Sequence, residues 1–166
     1  HVEKQLGQEI PYILDGDSTE VGIESTVIRV TESTIHILRA GGITADMLAP
    51  FSNEITFEEQ SNSAPASPGL ISSHYAPSKP FKIGQISELS SKYEGVKLGV
   101  LSFSEPHTCH LNKILSPSQS LNEAAKNLFA MMRELDDSDC EMVIGELVPH
   151  EGLGIAINDK LKRASK

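Results

Sequence analysis

Between Pro65 and Pro77 the chain reads Pro-Ala-Ser-Pro-Gly-Leu-Ile-Ser-Ser-His-Tyr-Ala-Pro, and no regular element can run through it. Each proline withholds a backbone donor and fixes φ, and Gly69 adds an entropic cost to any ordered strand or helix. The stretch is therefore a connector, and the chain must be built as something before it and something after it. Closely spaced prolines hold a segment extended and limit its conformers, which suits a strap laid across a surface better than a loose tether. Within it stand His74 and Tyr75, a titratable ring and a phenol that can hydrogen-bond or stack on a base. On composition alone the same residues also fit an ordinary linker with a half-buried tyrosine.

The residues on either side follow different patterns, so the 166 residues are expected to divide into two small units. The expected boundaries are 1–62, a strap over 63–80, and 81–166. With 39% hydrophobic and 22% charged residues the chain can bury a modest core. Its 14 basic and 23 acidic side chains leave a net charge of −9, which speaks against broad, sequence-independent nucleic-acid binding. A small anion can still be held by one or two local cations. No run of 18 apolar residues offers a membrane span. His1-Val2-Glu3-Lys4-Gln5-Leu6 has neither the basic start nor the apolar centre of a signal peptide. The expected location is the cytoplasm, where Cys109 and Cys140 are reduced thiols.

Before the strap, Val2, Leu6 and Ile10 at spacing four predict helical turns ended by Pro11. Ile13-Leu14-Asp15-Gly16-Asp17 reads as a short strand entering an Asp-Gly turn. β-Branched residues dominate 20–30, and Thr34-Ile35-His36-Ile37-Leu38-Arg39 alternates, so the two runs predict a hairpin. Ala40-Gly41-Gly42 breaks the second strand. Thr44 is placed to cap a short helix that Pro50 stops, and Glu54-Ile55-Thr56-Phe57 predicts one more edge strand. After the strap, short apolar runs at 81–83, 97–103, 113–115 and 141–147 alternate with helical patterns at 86–93, 121–135 and 153–164. That is the pattern of a small α/β layer with a parallel sheet. Leu121, Ala124, Ala125, Leu128, Phe129, Met132 and Leu135 share one face of the longest helix, with Ser118 or Ser120 as its cap. Lys160, Lys162, Arg163 and Lys166 give the last helix a cationic end that suits its dipole.

Chemistry is concentrated where the hairpin brings Ser25, Thr26 and Arg39 onto adjacent strands. Two hydroxyls and a forked guanidinium are what a phosphate needs, and Gly41-Gly42 permits close backbone approach. The same residues also fit plain cross-strand positions and a surface charge. Glu24 can pair with Arg39, ligate a metal or simply be solvated. Pro106-His107-Thr108-Cys109-His110 matches no structural zinc spacing and reads as a loop. No Walker-type glycine loop is present, and Gly152-Leu153-Gly154 is too short for a dinucleotide fingerprint.

Taken together, Val21-Gly22-Ile23-Glu24-Ser25-Thr26-Val27, Ile37-Leu38-Arg39-Ala40-Gly41-Gly42-Ile43, Ser67-Pro68-Gly69 with His74-Tyr75-Ala76-Pro77, and Gly152-Leu153-Gly154 leading to Asn158-Asp159-Lys160-Leu161 carry a resemblance. In order and spacing they resemble the long, two-domain form of the threonylcarbamoyl-AMP synthases. The resemblance implies an α/β fold: the C-terminal part of a YrdC-type domain, an extended linker, then a small Rossmann-like parallel-sheet domain. It implies synthesis of threonylcarbamoyl-AMP and pyrophosphate from ATP, carried with Mg2+, L-threonine and bicarbonate, for N6-threonylcarbamoyladenosine in tRNA. Ser25, Thr26, Arg39, His74 and Tyr75 would then contact the nucleotide, with Ser25 and Arg39 on phosphate and the His-Tyr pair covering the site. No protein nucleophile is implied.

Two departures from the family pattern shape the expectation. Only 62 residues precede the strap, and the family's upstream basic residues and Ser/Thr-Ala-Asn signature are absent. Leu70-Ile71-Ser72-Ser73 stands where a basic residue and a tyrosine often follow Ser-Pro-Gly. The expectation is a C-terminal portion that lacks the upstream half of its catalytic domain and completes no turnover alone. The alternative is a non-catalytic regulatory or interaction module of the tRNA-modifying machinery.

Overall fold

A computed structural model of the chain describes residue 3 and residues 6–16, 19–58 and 77–165. Residues 63–76 of the strap, His74 and Tyr75 among them, lie outside the described residues.

Two sheets organise the molecule. In the first, β1 (Val27–Val30) pairs antiparallel with β2 (Thr34–Arg39), as the alternating pattern predicts, and Thr31 N–H donates to Thr34 O across the turn. Inward-facing Ile35 and Ile37 are 4% and 3% exposed. Ile28 faces Ile37 but Val27 faces Arg39, so Leu38 is an extra residue on β2. Such a bulge re-aims the side chain beside it, and it takes Arg39 out of the row formed by Ile35 and Ile37. Thr44 caps α1 (Ala45–Leu48), its hydroxyl accepting from Met47 N–H, and a 3-10 turn at Ala49–Phe51 carries Pro50. β3 (Glu54–Phe57) then returns parallel to β2 and forms an edge, giving the order β1-β2-β3.

Two expectations fail in this half. Residues 12–16 form no strand, and Leu14 is 96% exposed: no strand among the described residues lies alongside to accept its ladder. The strand expected over 20–30 begins only at Val27, because the preceding turn is drawn onto the other half of the molecule. Gly22, at φ +70°, lies against the backbone of Ala125 and Lys126, and Ile23 packs on the second sheet's core.

The second sheet is wholly parallel. Its strands β4 (Phe81–Ile83), β5 (Leu98–Ser102), β6 (Leu111–Ile114) and β7 (Met142–Gly145) lie in the order β4-β7-β5-β6. The two central strands are buried along their whole length, as expected of a parallel sheet covered on both faces. Alternation assigns the faces. Leu98, Val100, Met142 and Ile144 pack against Ile86 of α2 (Ile86–Lys92). Leu101 and Val143 pack under α3 (Leu121–Asp137) and α4 (Leu153–Ala164), which bring Ala124, Leu128, Leu135, Ile157 and Leu161. Each fully buried leucine or isoleucine contributes about 2 kcal/mol relative to an exposed position. This is the small parallel α/β layer that the alternation of short strands and helices predicts, and the Rossmann-like fold that the resemblance implies.

The helix ends are held by side chains. Ser120 caps α3 by accepting from Glu123 N–H at 3.4 Å. The Ser116 and Ser118 hydroxyls donate to the Glu123 carboxylate at 2.5 and 2.6 Å, which holds that carboxyl below its usual range. At the other end of α3, Asp136 accepts from Ser78 N–H and Oγ–H and from Lys79 N–H, while Lys79 Nζ donates to the carbonyls of Leu135, Asp136 and Ser138. A cation on the last carbonyls complements the helix dipole, and it ties residues 78–79 to α3. Asn158, 1% exposed, both donates to Val148 O and accepts from Val148 N–H at 2.9 Å, so the loop after β7 is clipped to α4. No helix among the described residues is long and apolar enough to cross a membrane.

Candidate functional site

The hairpin brings Ser25 and Arg39 into direct contact. Arg39 Nε and Nη2 donate to the Ser25 carbonyl oxygen at 3.1 and 3.0 Å, and Nη2 also donates to Ser25 Oγ at 3.1 Å. The guanidinium is thereby planted beside the exposed serine hydroxyl, at the end of the bulged strand. Thr26 is turned to another task. Its hydroxyl donates to Ile43 O at 2.6 Å and accepts from Ile43 N–H at 3.0 Å, which closes the Gly41-Gly42 loop back onto the hairpin. Of the three groups expected at an anion, the structure brings Ser25 and Arg39 together, while Thr26 holds the loop beside them.

Gly41 is where that loop comes closest. A Cβ there would lie 2.3 Å from Glu24 O, 2.5 Å from Ser25 C and 2.5 Å from Thr26 N, all backbone atoms. Only glycine fits without moving the Ser25 peptide. Gly42 N–H donates to Glu24 O at 2.9 Å, so two backbones that are distant in sequence cross directly under the Ser25–Arg39 pair.

Lys160, grouped from sequence with the cationic end of the last helix, instead faces the interior. Its side chain is 0% exposed. Nζ donates to Ala40 O at 3.4 Å and to Asp159 Oδ2 at 3.2 Å and lies 3.7 Å from Glu24 Oε2. Glu24, left open between Arg39, a metal and water, faces this lysine. The signal was present in the sequence: Leu153, Ile157, Lys160 and Ala164 recur at three- and four-residue steps, so a lysine stands in the core-facing row.

Asp159 completes the group. Burial opposes its charge, yet the hydrogen bonds from Arg163 Nε at 3.0 and 2.9 Å and the Lys160 ammonium hold its carboxyl below its ordinary 3.8. A carboxylate with a depressed folded-state pKa stabilises the fold above pH 3.8 and loses that contribution as pH falls through the folded value. Asp159→Asn is therefore expected to flatten the acid limb of stability. Denaturant unfolding at stepped pH from 6 to about 2.5 checks this, and an acid limb as steep as the unmodified protein's would refute it.

The His107-to-His110 segment is a loop between β5 and β6. His107 N–H donates to Asn112 Oδ1 at 2.8 Å, His110 Nε2 lies 2.6 Å from Asp139 Oδ1, and burial pushes the Cys109 thiol up. Among the described residues no group of three or more His, Cys, Asp or Glu side chains could hold a metal ion.

Comparison with known proteins gives the family of the chain. A family model described as the C-terminal domain of threonylcarbamoyl-AMP synthase matches residues 38–166, and one described as "Telomere recombination" matches residues 1–41. The threonylcarbamoyl-AMP synthase of Pyrococcus abyssi is 30% identical, with 99% of this chain and 52% of the relative covered. That of Bacillus subtilis is also 30% identical, with 99% and 51% covered. Among solved structures, P. abyssi Sua5 complexed with L-threonine superposes with a TM-score of 0.87 at 31% identity, covering 99% of this chain and 52% of that one. A variant of the same archaeal protein with an adjacent histidine and tyrosine changed to alanine gives a TM-score of 0.84 at 30% identity, covering 99% and 51%. The chain thus spans about half the length of the curated relatives it matches. With 99% of its length covered by a solved relative and more than half of its residues matched by the family model, this chain belongs to the threonylcarbamoyl-AMP synthase family.

Proposed function

We propose that the chain serves the synthesis of threonylcarbamoyl-AMP and pyrophosphate from ATP, L-threonine and bicarbonate, the adenylate being the precursor of N6-threonylcarbamoyladenosine in tRNA. The observation that carries this is the Arg39 guanidinium seated on Ser25 at the bulged end of the hairpin, in a chain of this family. The relatives' printed names give threonylcarbamoyl-AMP synthase, and one solved relative holds L-threonine.

In this reading residues 1–62 belong to the catalytic α/β domain, 63–80 are the strap and 81–166 the Rossmann-like domain. ATP enters as its magnesium complex, a substrate and not a resident cofactor. Attack by the threonylcarbamate oxygen on the α-phosphorus forms a P–O bond and breaks the bond to pyrophosphate. Charge on the phosphoryl oxygens is met by the Arg39 fork and the Ser25 hydroxyl, which gain most as that charge builds. Thr26 keeps the glycine loop in place beneath them. His74 and Tyr75 cover the site, and excluding water strengthens the charge contacts and protects a mixed anhydride from hydrolysis. The enzyme works in the cytoplasm.

The test is product formation by the polypeptide as its organism makes it, supplied with Mg-ATP, L-threonine and bicarbonate and read by mass spectrometry of the adenylate. Threonine-dependent threonylcarbamoyl-AMP is the expected product. Its absence, or pyrophosphate release indifferent to threonine and bicarbonate, would refute the assignment.

A further inference from the structure

Lys160 belongs to the far end of the chain, yet its amine rests on the residue that follows Arg39 and on the residue that precedes Ser25. An ammonium with 0% exposure persists only where it is paired and hydrogen-bonded, and an apolar side chain is the default for a core-facing helix position. Among its partners are one carbonyl and two carboxylates, namely Ala40 O, Glu24 and Asp159, the last held in turn by Arg163. Packing fixes the origin of this side chain, since Ile157 and Leu161 on the same helix are fully buried. Its amine therefore meets the segment before β1 and the residue just after β2 from a fixed base. Ala40 and Glu24 bracket the Ser25–Arg39 contact, and Gly42 N–H to Glu24 O closes the same ring of contacts.

We infer that Lys160 is a positioning residue, through which helix α4 sets the geometry of the Ser25–Arg39 phosphate contact. A charged group retained in a core at an energetic cost is explained when it selects one arrangement, and the arrangement selected here is the docking of the hairpin end on the second sheet's layer. The effect on ATP rests on the nucleotide reading above, whereas the grip on the hairpin does not.

Two measurements on the whole protein separate these. Hydrogen exchange at Gly42 and Ile43, whose amides bond Glu24 O and Thr26 Oγ, reads the grip without any ligand. Lys160→Met is expected to speed exchange there by about tenfold, with Lys160→Arg, which keeps charge and donors, restoring most of the protection. Ile86→Ala, on the opposite face of the second sheet, is the matched core defect and is expected to leave those two amides unchanged. Should Lys160→Met fail to fold, Lys160→Met/Glu24→Gln, which leaves no orphaned Glu24 charge, is measured in its place. Unchanged exchange, or equal acceleration in Ile86→Ala, would overturn the inference. Calorimetric titration with Mg-ATP then reads the consequence: affinity about tenfold weaker in Lys160→Met and recovered in Lys160→Arg supports it. Unaltered affinity in the faster-exchanging variant would overturn the positioning role. An unmodified protein that binds no Mg-ATP would instead refute the nucleotide reading, and the exchange result would still decide the grip.

Discussion

Arg39→Ala is expected to weaken Mg-ATP binding and adenylate formation by about a hundredfold, the scale of removing one preorganised donor group from a developing phosphoryl charge. The same change removes three hydrogen bonds to Ser25 at a half-buried position, so the loss of fold stability is only about 1 kcal/mol. The two effects are separable by calorimetry and thermal unfolding on one preparation. Arg39→Lys is expected to fall between, because an ammonium keeps the charge but cannot hold Ser25 O and Oγ with one planar fork. Affinity for Mg-ATP within twofold of the unmodified protein in Arg39→Ala would remove Arg39 from the site.

The largest effect on the fold is expected at Gly154. A Cβ there would sit 1.9 Å from the Pro149 carbonyl oxygen and 3.3 Å from Val148 Cγ2. Neither the helix nor the loop after β7 can yield easily, since Asn158 clips that loop to α4 from the other side. Gly154→Ala should cost about 3 kcal/mol and lower the thermal midpoint by roughly 10 °C. Gly16→Ala, where an added Cβ meets nothing within 4 Å, is the control and should change little. A midpoint for Gly154→Ala within about 2 °C of the control would show that the loop relaxes freely. Because α4 also carries Lys160, partial displacement of the helix is expected to speed exchange at Gly42 as well.

The elements that could be read from sequence are those whose signals are local. Thr44 and Ser120 cap where their hydroxyls stand ahead of an apolar period, and α4 spans the 153–164 predicted for it. The hairpin was legible because β-branched alternation flanks a short polar turn, and the parallel layer because strands and helices take turns. Ile13 to Gly16 misled for the opposite reason. An apolar run specifies a strand only where a neighbour accepts its ladder, and pairing is not encoded in the run itself. The Ser25–Arg39 contact could be anticipated from the hairpin, but the bulge at Leu38 that aims Arg39 is a property of register, which two strands settle together.

By itself the sequence determined most of the segment types and the motif order that resembles the synthase family, since these depend on propensity, periodicity and residue identity along the chain. Only the tertiary structure decided that Lys160 lies buried against Glu24 and Ala40, 120 residues away from the latter. The physical reason is that desolvating an ammonium is tolerable only once its partners are in place, and those partners are gathered by packing the hairpin end against α3 and α4.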